Sequence, residues 1–495
     1  MHWLSLCNLA PIVLLATLPT IASAQGPQRS RTASANDAQG QLARRAATTL
    51  RQAVAFFSEK AAYRGGYVYY YSMDLKERWG EGPATPTQIW VQPPGTPTVG
   101  LAYLAAYRAT GEPQYLAAAR KAGEALLAGQ LRSGGWQNLI DFDPAGRVSQ
   151  YRRGGGGGKN YSTLDDGITQ TAIEFLVRLD EALGFQDAAV HEACQYALEA
   201  LLKAQFTNGA FPQVWEGPVP EVPVIKASYP TYDWRTEGKV QDYWNMYTLN
   251  DGLAGTVTQT LITAAEVYRD ARYEQALRKL GDFLILAQMP SPQPAWAQQY
   301  SRQMHPIWAR RFEPPAITGG ESQDVLRTLV RISAWCGDAR YLEPVPVALD
   351  YLRASRLPDG RLARYYELQT NRPLYMQRQG ETYVLTYDDR RLPDHYGWKV
   401  ESALEAIAAE YAAVRTTGKL PSVPPEAAAL ARQVEAICAA LDEQGRWVRV
   451  YQGERLVGQP KFRMGQAYLS SAVFAQNVQT LAVFLQTAVK AEGGR

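Results

Sequence analysis

Histidine and cysteine are scarce in this chain, with four of each in 495 residues. His2 and Cys7 fall within the first 24 residues, and His191, His305 and His395 stand alone, without HExxH-like spacing. That excludes a histidine-based zinc or iron site and a Ser-His-Asp triad. Cys194, Cys336 and Cys438 form no CxxC pair and are odd in number, so no disulfide framework holds the fold; a single bridge stays open. Any metal is therefore expected to be hard and oxygen-liganded, which points to Ca²⁺. An excess of one charge is also missing, because 51 Lys and Arg balance 48 Asp and Glu. A net charge of +3 gives no electrostatic ground for a nucleic-acid partner or an acidic membrane surface.

Apolar residues make up 46 % of the chain, enough for a large core. Tyrosine is abundant, with 29 copies against 12 Trp and 12 Phe. Grooves that stack sugars and hydrogen-bond their hydroxyls use phenols in this way. Met1–Ala24 carries no Asp, Glu, Lys or Arg, contains the run Ile12-Val13-Leu14-Leu15, and ends in Ala22-Ser23-Ala24. This is the pattern of a cleaved signal peptide, and export to the periplasm or medium is expected. Pro11 and Pro19 interrupt the run and leave it too short for a membrane anchor. Gln25–Ala38 is polar and is expected to be a flexible lead-in to one catalytic domain over 39–495.

That domain repeats itself. Glycine-bearing turns recur at Arg64-Gly65-Gly66-Tyr67, Ser133-Gly134-Gly135-Trp136, Asn208-Gly209-Ala210-Phe211, Pro358-Asp359-Gly360-Arg361 and Gln444-Gly445-Arg446-Trp447. A degenerate member lies near Pro290–Trp296, and the spacings are roughly 70 to 85 residues. Between the turns, apolar residues recur at three- and four-residue steps, which predicts amphipathic helices in pairs. Six helical hairpins of this length close into an α/α toroid, all-α but for short strands in the turns; an open helical array is the alternative. Two long connections, Phe142–Ser162 and Phe211–Met246, must cover something.

Two acidic turns open repeat helices: Thr163-Leu164-Asp165-Asp166-Gly167 and Thr248-Leu249-Asn250-Asp251-Gly252. Helix capping is the plain account, since a carboxylate there satisfies free N–H groups. The chemical account is a cation site, because these side chains offer only oxygen. Arginine pairs occur at Arg310-Arg311, beside Phe312 and Glu313, and at Arg390-Arg391, after Asp388-Asp389. Most such pairs are solvated ion pairs, but an anchored guanidinium grips a carboxylate with two bonds.

Together these stretches resemble the pectate lyases of polysaccharide lyase family 10. Leu164-Asp165-Asp166-Gly167-Ile168-Thr169 is similar to that family's IDNGAT helix start, and Gln205–Trp215 to QYPNGGWPQFY. Thr248–Asp251 is similar to TFND, Trp296–Ser322 to WCAQYD…ARAYEPPSLSGSES, and Tyr366–Tyr375 to YEIGTNRPIF. The resemblance implies calcium at Asp165 and Asp251, and substrate contacts from Arg310, Asp165, Asp166, Asn250, Trp215, Arg364 and Arg372. It also implies an arginine base within Asp389–Trp398, either Arg390 or Arg391, although this stretch departs from the family's ERRxGYxW. The implied substrate is polygalacturonate or a related acidic polysaccharide, cleaved by β-elimination to 4,5-unsaturated products, with the enzyme acting as a monomer. An inverting glycoside hydrolase is the competing reading, with Asp165 and Asp251 as acid and base about 6.5 to 9.5 Å apart. It leaves the arginines unexplained. A third reading is a catalytically inactive uronan-binding relative.

Overall fold

In the computed structural model, which describes residues 28–422 and 426–493, twelve α-helices alternate between an inner and an outer layer. In chain order they are α1 (Gln28–Phe56), α2 (Thr96–Thr110), α3 (Pro113–Gly129), α4 (Ile168–Ala182), α5 (Ala188–Lys203), α6 (Leu253–Tyr268), α7 (Ala271–Leu286), α8 (Gly319–Cys336), α9 (Val345–Ala354), α10 (Leu404–Thr417), α11 (Ala427–Ala439) and α12 (Ser471–Gly493). The even-numbered helices form the inner ring, in the order α12, α2, α4, α6, α8, α10, each against the next. Outside them lie α3 on α2 and α4, α5 on α4, α7 on α6 and α8, α9 on α8 and α10, and α1 and α11 on α12. This is the expected α/α toroid.

Burial explains the two layers. Inner α4 is covered almost all round, with Ile168, Ala172, Ile173, Phe175, Leu176, Val177 and Leu179 inaccessible or nearly so. Outer α5 hides only the stripe Val190, Ala193, Cys194, Ala197, Leu198 and Leu201, at steps of three and four residues. Two outer helices start at carboxylates that accept from their first backbone amides: Asp187 before α5 and Asp270 before α7.

The repeated glycine turns share one hydrogen-bond pattern. Leu131 N–H donates to Gly135 O, Phe206 to Ala210, Leu357 to Arg361 and Asp442 to Arg446, with a central glycine at positive φ each time. Short strands leave these turns and pair across neighbouring repeats, Ser162–Thr163 with Val214–Trp215 and Tyr247–Thr248 with Gln299–Tyr300. The ring is fastened where Tyr70–Tyr71 pairs with Leu469–Ser470 and Ser471 N–H donates to Tyr69 O.

The expected signal segment lies outside the described residues. The expected lead-in does not stay irregular, because α1 already begins at Gln28; residues 28–38 contain neither Pro nor Gly. Cys194, Cys336 and Cys438 are free, so the bridge left open is not made among the described residues. No described helix is long and apolar enough to cross a membrane.

Candidate active site

The two acidic turns come together at the starts of α4 and α6. Asp166 (φ 46°, ψ 28°) and Gly167 (φ 70°) are both left-handed, and so are Asp251 (φ 54°, ψ 33°) and Gly252 (φ 67°). A non-glycine residue in this region is strained, and such strain clusters at functional sites. Equivalent backbone bonds fix both turns: Leu164 N–H to Gln213 O at 2.8 Å, and Leu249 N–H to Gln298 O at 2.9 Å.

As a result Asp165, Asp166 and Asp251 each bring a carboxylate oxygen within 4.8 Å of the others. Gln92 Nε2 donates to Asp166 (2.8 Å) and to Glu81 (2.9 Å), and Gln213 Nε2 donates to Asp165 (2.8 Å). Burial, then the charges of Asp165 and Glu81, push the Asp166 carboxyl up to about 8, with Arg310 opposing. Asp251 is driven well above the usual carboxylate range by burial, then by the charges of Asp166 and Asp165, against Arg364 and Arg310. Burial and the charge of Asp165 raise Glu81 as well. A site that gathers so much negative charge calls for a cation. Asp166 Oδ1 and Asn250 Oδ1 are both buried without a hydrogen-bond partner, which fits an all-oxygen cation cradle.

The facing wall is cationic and built by buried partners. Arg310 Nη2 binds Glu313 Oε1, and its backbone N–H donates to Glu313 Oε2 at 3.0 Å. Tyr396 OH donates to Glu313 at 2.7 Å. Burial tends to raise the Glu313 carboxyl, but Arg310 and Tyr396 outweigh it and bring it down to about 2. Burial likewise works against the charge of Arg310, yet Glu313 more than reverses this and raises its pKa, so Arg310 stays a cation. Arg364 lies behind it, almost inaccessible, 3.4 Å from Glu321 and 4.3 Å above the Tyr396 ring. The Tyr396 hydroxyl also meets Tyr365 OH at 3.2 Å, and Tyr365 donates to Gln298 at 3.1 Å.

The structure therefore brings together Asp165, Asp166, Asn250, Asp251, Arg310 and Arg364. Trp215 is not a groove surface: it is buried, and its indole N–H donates to Ser133 O at 3.0 Å. Arg372 is exposed and stacks at 3.5 Å on Tyr387, with no recorded bond to the acidic group. Arg390 is 83 % exposed, and Asp388 takes both Nε (2.8 Å) and Nη2 (2.7 Å). Arg391 lines a cleft of about 380 Å³ with Arg378, Tyr383, Leu392, Pro393, Asp394 and His395. That cleft adjoins the cationic wall, since the His395 ring packs 5.1 Å from Phe312, itself 5.1 Å below Arg310. Glu313 and Gln213 lie within stretches that carried the resemblance, but their roles as tethers were not legible there. Glu81 and Gln92 come from loops before α2 that bear no motif.

Residues 141–359 match the family model described as Pectic acid lyase. No curated protein matches the chain. Among solved structures the chain is similar to a family 10 polysaccharide lyase from Cellvibrio cellulosa, at 21 % identity over 63 % of this chain and 95 % of that one, with a TM-score of 0.42. A substituted form of that lyase, in complex with trigalacturonic acid, gives 21 % over 60 % and 92 %, TM-score 0.44. A cellobiose 2-epimerase from Spirochaeta thermophila gives 15 % over 94 % and 100 %, TM-score 0.46. The family match and the motifs define the class, an enzyme of the polysaccharide lyase type. Within that class the chain is similar to the pectate lyases, as its motifs imply.

Proposed function

We propose that the protein is an exported pectate lyase that cleaves polygalacturonate by calcium-assisted β-elimination. One observation carries this reading: three converging carboxylates face an arginine that a buried glutamate holds charged. The separation also disfavours inverting hydrolysis, because carboxylate oxygens within 4.8 Å are closer than the roughly 6.5–9.5 Å of an inverting pair.

Asp165, Asp166 and Asp251, with Asn250 Oδ1, would hold the ion. Calcium bound there supplies positive charge to the C6 carboxylate of the uronate and so acidifies C5–H. Arg310 grips the same carboxylate and stabilises the negative charge that develops on it when the C5 proton leaves. The C5–H electron pair forms the C4–C5 double bond, the C4–O bond breaks, and the leaving oxygen takes a proton. Within the arginine pair implied as base, the geometry favours Arg391, which opens onto the cleft beside Phe312, over Arg390, which Asp388 occupies. No histidine or cysteine is needed, in keeping with their scarcity. The uncharged leader Met1–Ala24 supports export.

The test is incubation with polygalacturonate, with and without EDTA, following ultraviolet absorbance of unsaturated products. Calcium-dependent absorbance is expected. New reducing ends without it would replace elimination by hydrolysis, and no cleavage at all would leave a uronan-binding protein.

A further inference from the structure

The segment from Glu216 to Asn245 ends in the turn Tyr243–Asn245, which the structure pins to the floor of the site from three sides. Gln213 N–H donates to Trp244 O at 2.9 Å, while the side chain of the same Gln213 holds Asp165. Gln299 Nε2 donates to Tyr243 O at 3.0 Å, and Arg302 Nη2 to Asn245 O at 2.7 Å. Further back, Trp234 is buried and its carbonyl accepts from Trp308 Nε1 at 2.7 Å, while Arg235 pairs with Glu367. The segment is thus a strap anchored at Trp234–Arg235 and again at its end, Tyr243–Asn245.

At its tip two aromatic rings meet edge to face at 5.1 Å. The Tyr243 phenol is half-buried and within electrostatic reach of Glu313, Arg310 and Asp165 at once. The Trp244 ring beside it is 37 % exposed, a large apolar face left open next to a highly polar site. A lone exposed indole needs no explanation. This one sits in a turn whose backbone three hydrogen bonds hold, one of them from Gln213 N–H to Trp244 O, and the same Gln213 binds a carboxylate of the acidic trio, which is the construction of a rigid binding platform. Pyranose rings present a C–H face that packs on such a surface while their hydroxyls and carboxylates stay in water.

We infer that Tyr243 and Trp244 form a sugar subsite that binds a uronate unit of the polysaccharide next to the one being cleaved, Trp244 by stacking and Tyr243 by its hydroxyl. The inference rests on the proposed lyase function and deepens it. It predicts an effect that depends on chain length. Purified oligogalacturonides from trimer to hexamer are assayed with the wild type, Trp244→Ala and Trp244→Phe, and thermal unfolding confirms that the variants fold. The wild-type to Trp244→Ala ratio of kcat/KM should step up to about tenfold at the length that first reaches the platform, as loss of a buried aromatic anchor does. Trp244→Phe should restore most of the loss. A ratio that is the same at every length, or a Trp244→Ala enzyme equal to wild type, overturns the subsite while leaving the lyase function intact. A wild type that forms no unsaturated product from any of these fragments overturns both.

Discussion

At the scale of single residues, Arg310 stands between two kinds of carboxylate. Behind it, Glu313 is 2 % exposed and holds it as a cation; in front lies the acidic trio proposed to hold the ion. Replacing Glu313 with Gln removes the charge that fixes Arg310 while keeping the shape. Glu313→Gln is expected to lower kcat by about 10²-fold or more, the loss typical of a removed charge-stabilising group. Tyr396→Phe, which deletes one 2.7 Å hydrogen bond to the same carboxylate, should cost far less, about 1 kcal/mol. Kinetics of the two variants on polygalacturonate check the order. In the base pair, Arg391→Ala should abolish most turnover, whereas Arg390→Ala stays within a few-fold of wild type. Equal, near-wild-type rates for both would remove the base from this stretch. Much of this chemistry could be read from the chain, because Asp165, Asp251 and Arg310 sit in recognisable motifs. Glu81 could not: it reaches the cluster through Gln92, whose partner Asp166 lies 74 positions further along, and only the fold joins them.

At the scale of elements, the repeat was legible because its turn chemistry is local. A glycine five or six residues after the end of α3, α5, α9 and α11 marks each turn, and the structure puts positive φ at Gly134, Gly209, Gly360 and Gly445. What the sequence could not show is how much space surrounds a positive-φ glycine, whether in such a turn or, like Gly337, at the end of a helix. A Cβ on Gly209 (φ +93°) would sit 1.9 Å from the Lys279 carbonyl oxygen, whereas one on Gly337 (φ +66°) meets nothing within 4 Å. Both Ala replacements carry the conformational cost of a positive φ, about 1–2 kcal/mol. Only Gly209→Ala adds a backbone collision, so it should destabilise clearly more than Gly337→Ala in denaturant titrations. The misplaced expectation for Trp215 has the same origin. The motif fixed its position beside the acidic turn, but strand alternation turned its indole inward to Ser133.

For the whole molecule, the acidic site links stability to pH and, on the proposed function, to calcium. With its folded pKa raised to about 8, Asp166 keeps a proton that the unfolded chain gives up near pH 4. The native state then binds more protons between these values, so metal-free stability falls as pH rises from 4 to 8. Glu313 acts in the opposite sense: its pKa near 2 contributes stability above about pH 4.3 that is lost as pH falls toward 2. Thermal unfolding in EDTA should therefore be highest near pH 4 to 5. Calcium should raise the melting temperature more at pH 8 than at pH 5, because binding requires the ionised carboxylates. A melting temperature indifferent to calcium at pH 8 would count against the cradle.

The clasp between Tyr70–Tyr71 and Leu469–Ser470 has a temporal consequence. α2 finds a large part of its burial against α12, the last of the described helices, some 360 residues further along. Until α12 docks, that inner face of α2 stays uncovered. The helical hairpins between them rest on local contacts, whereas this seam needs partners far apart in sequence, so it is expected to form later than the hairpins in refolding.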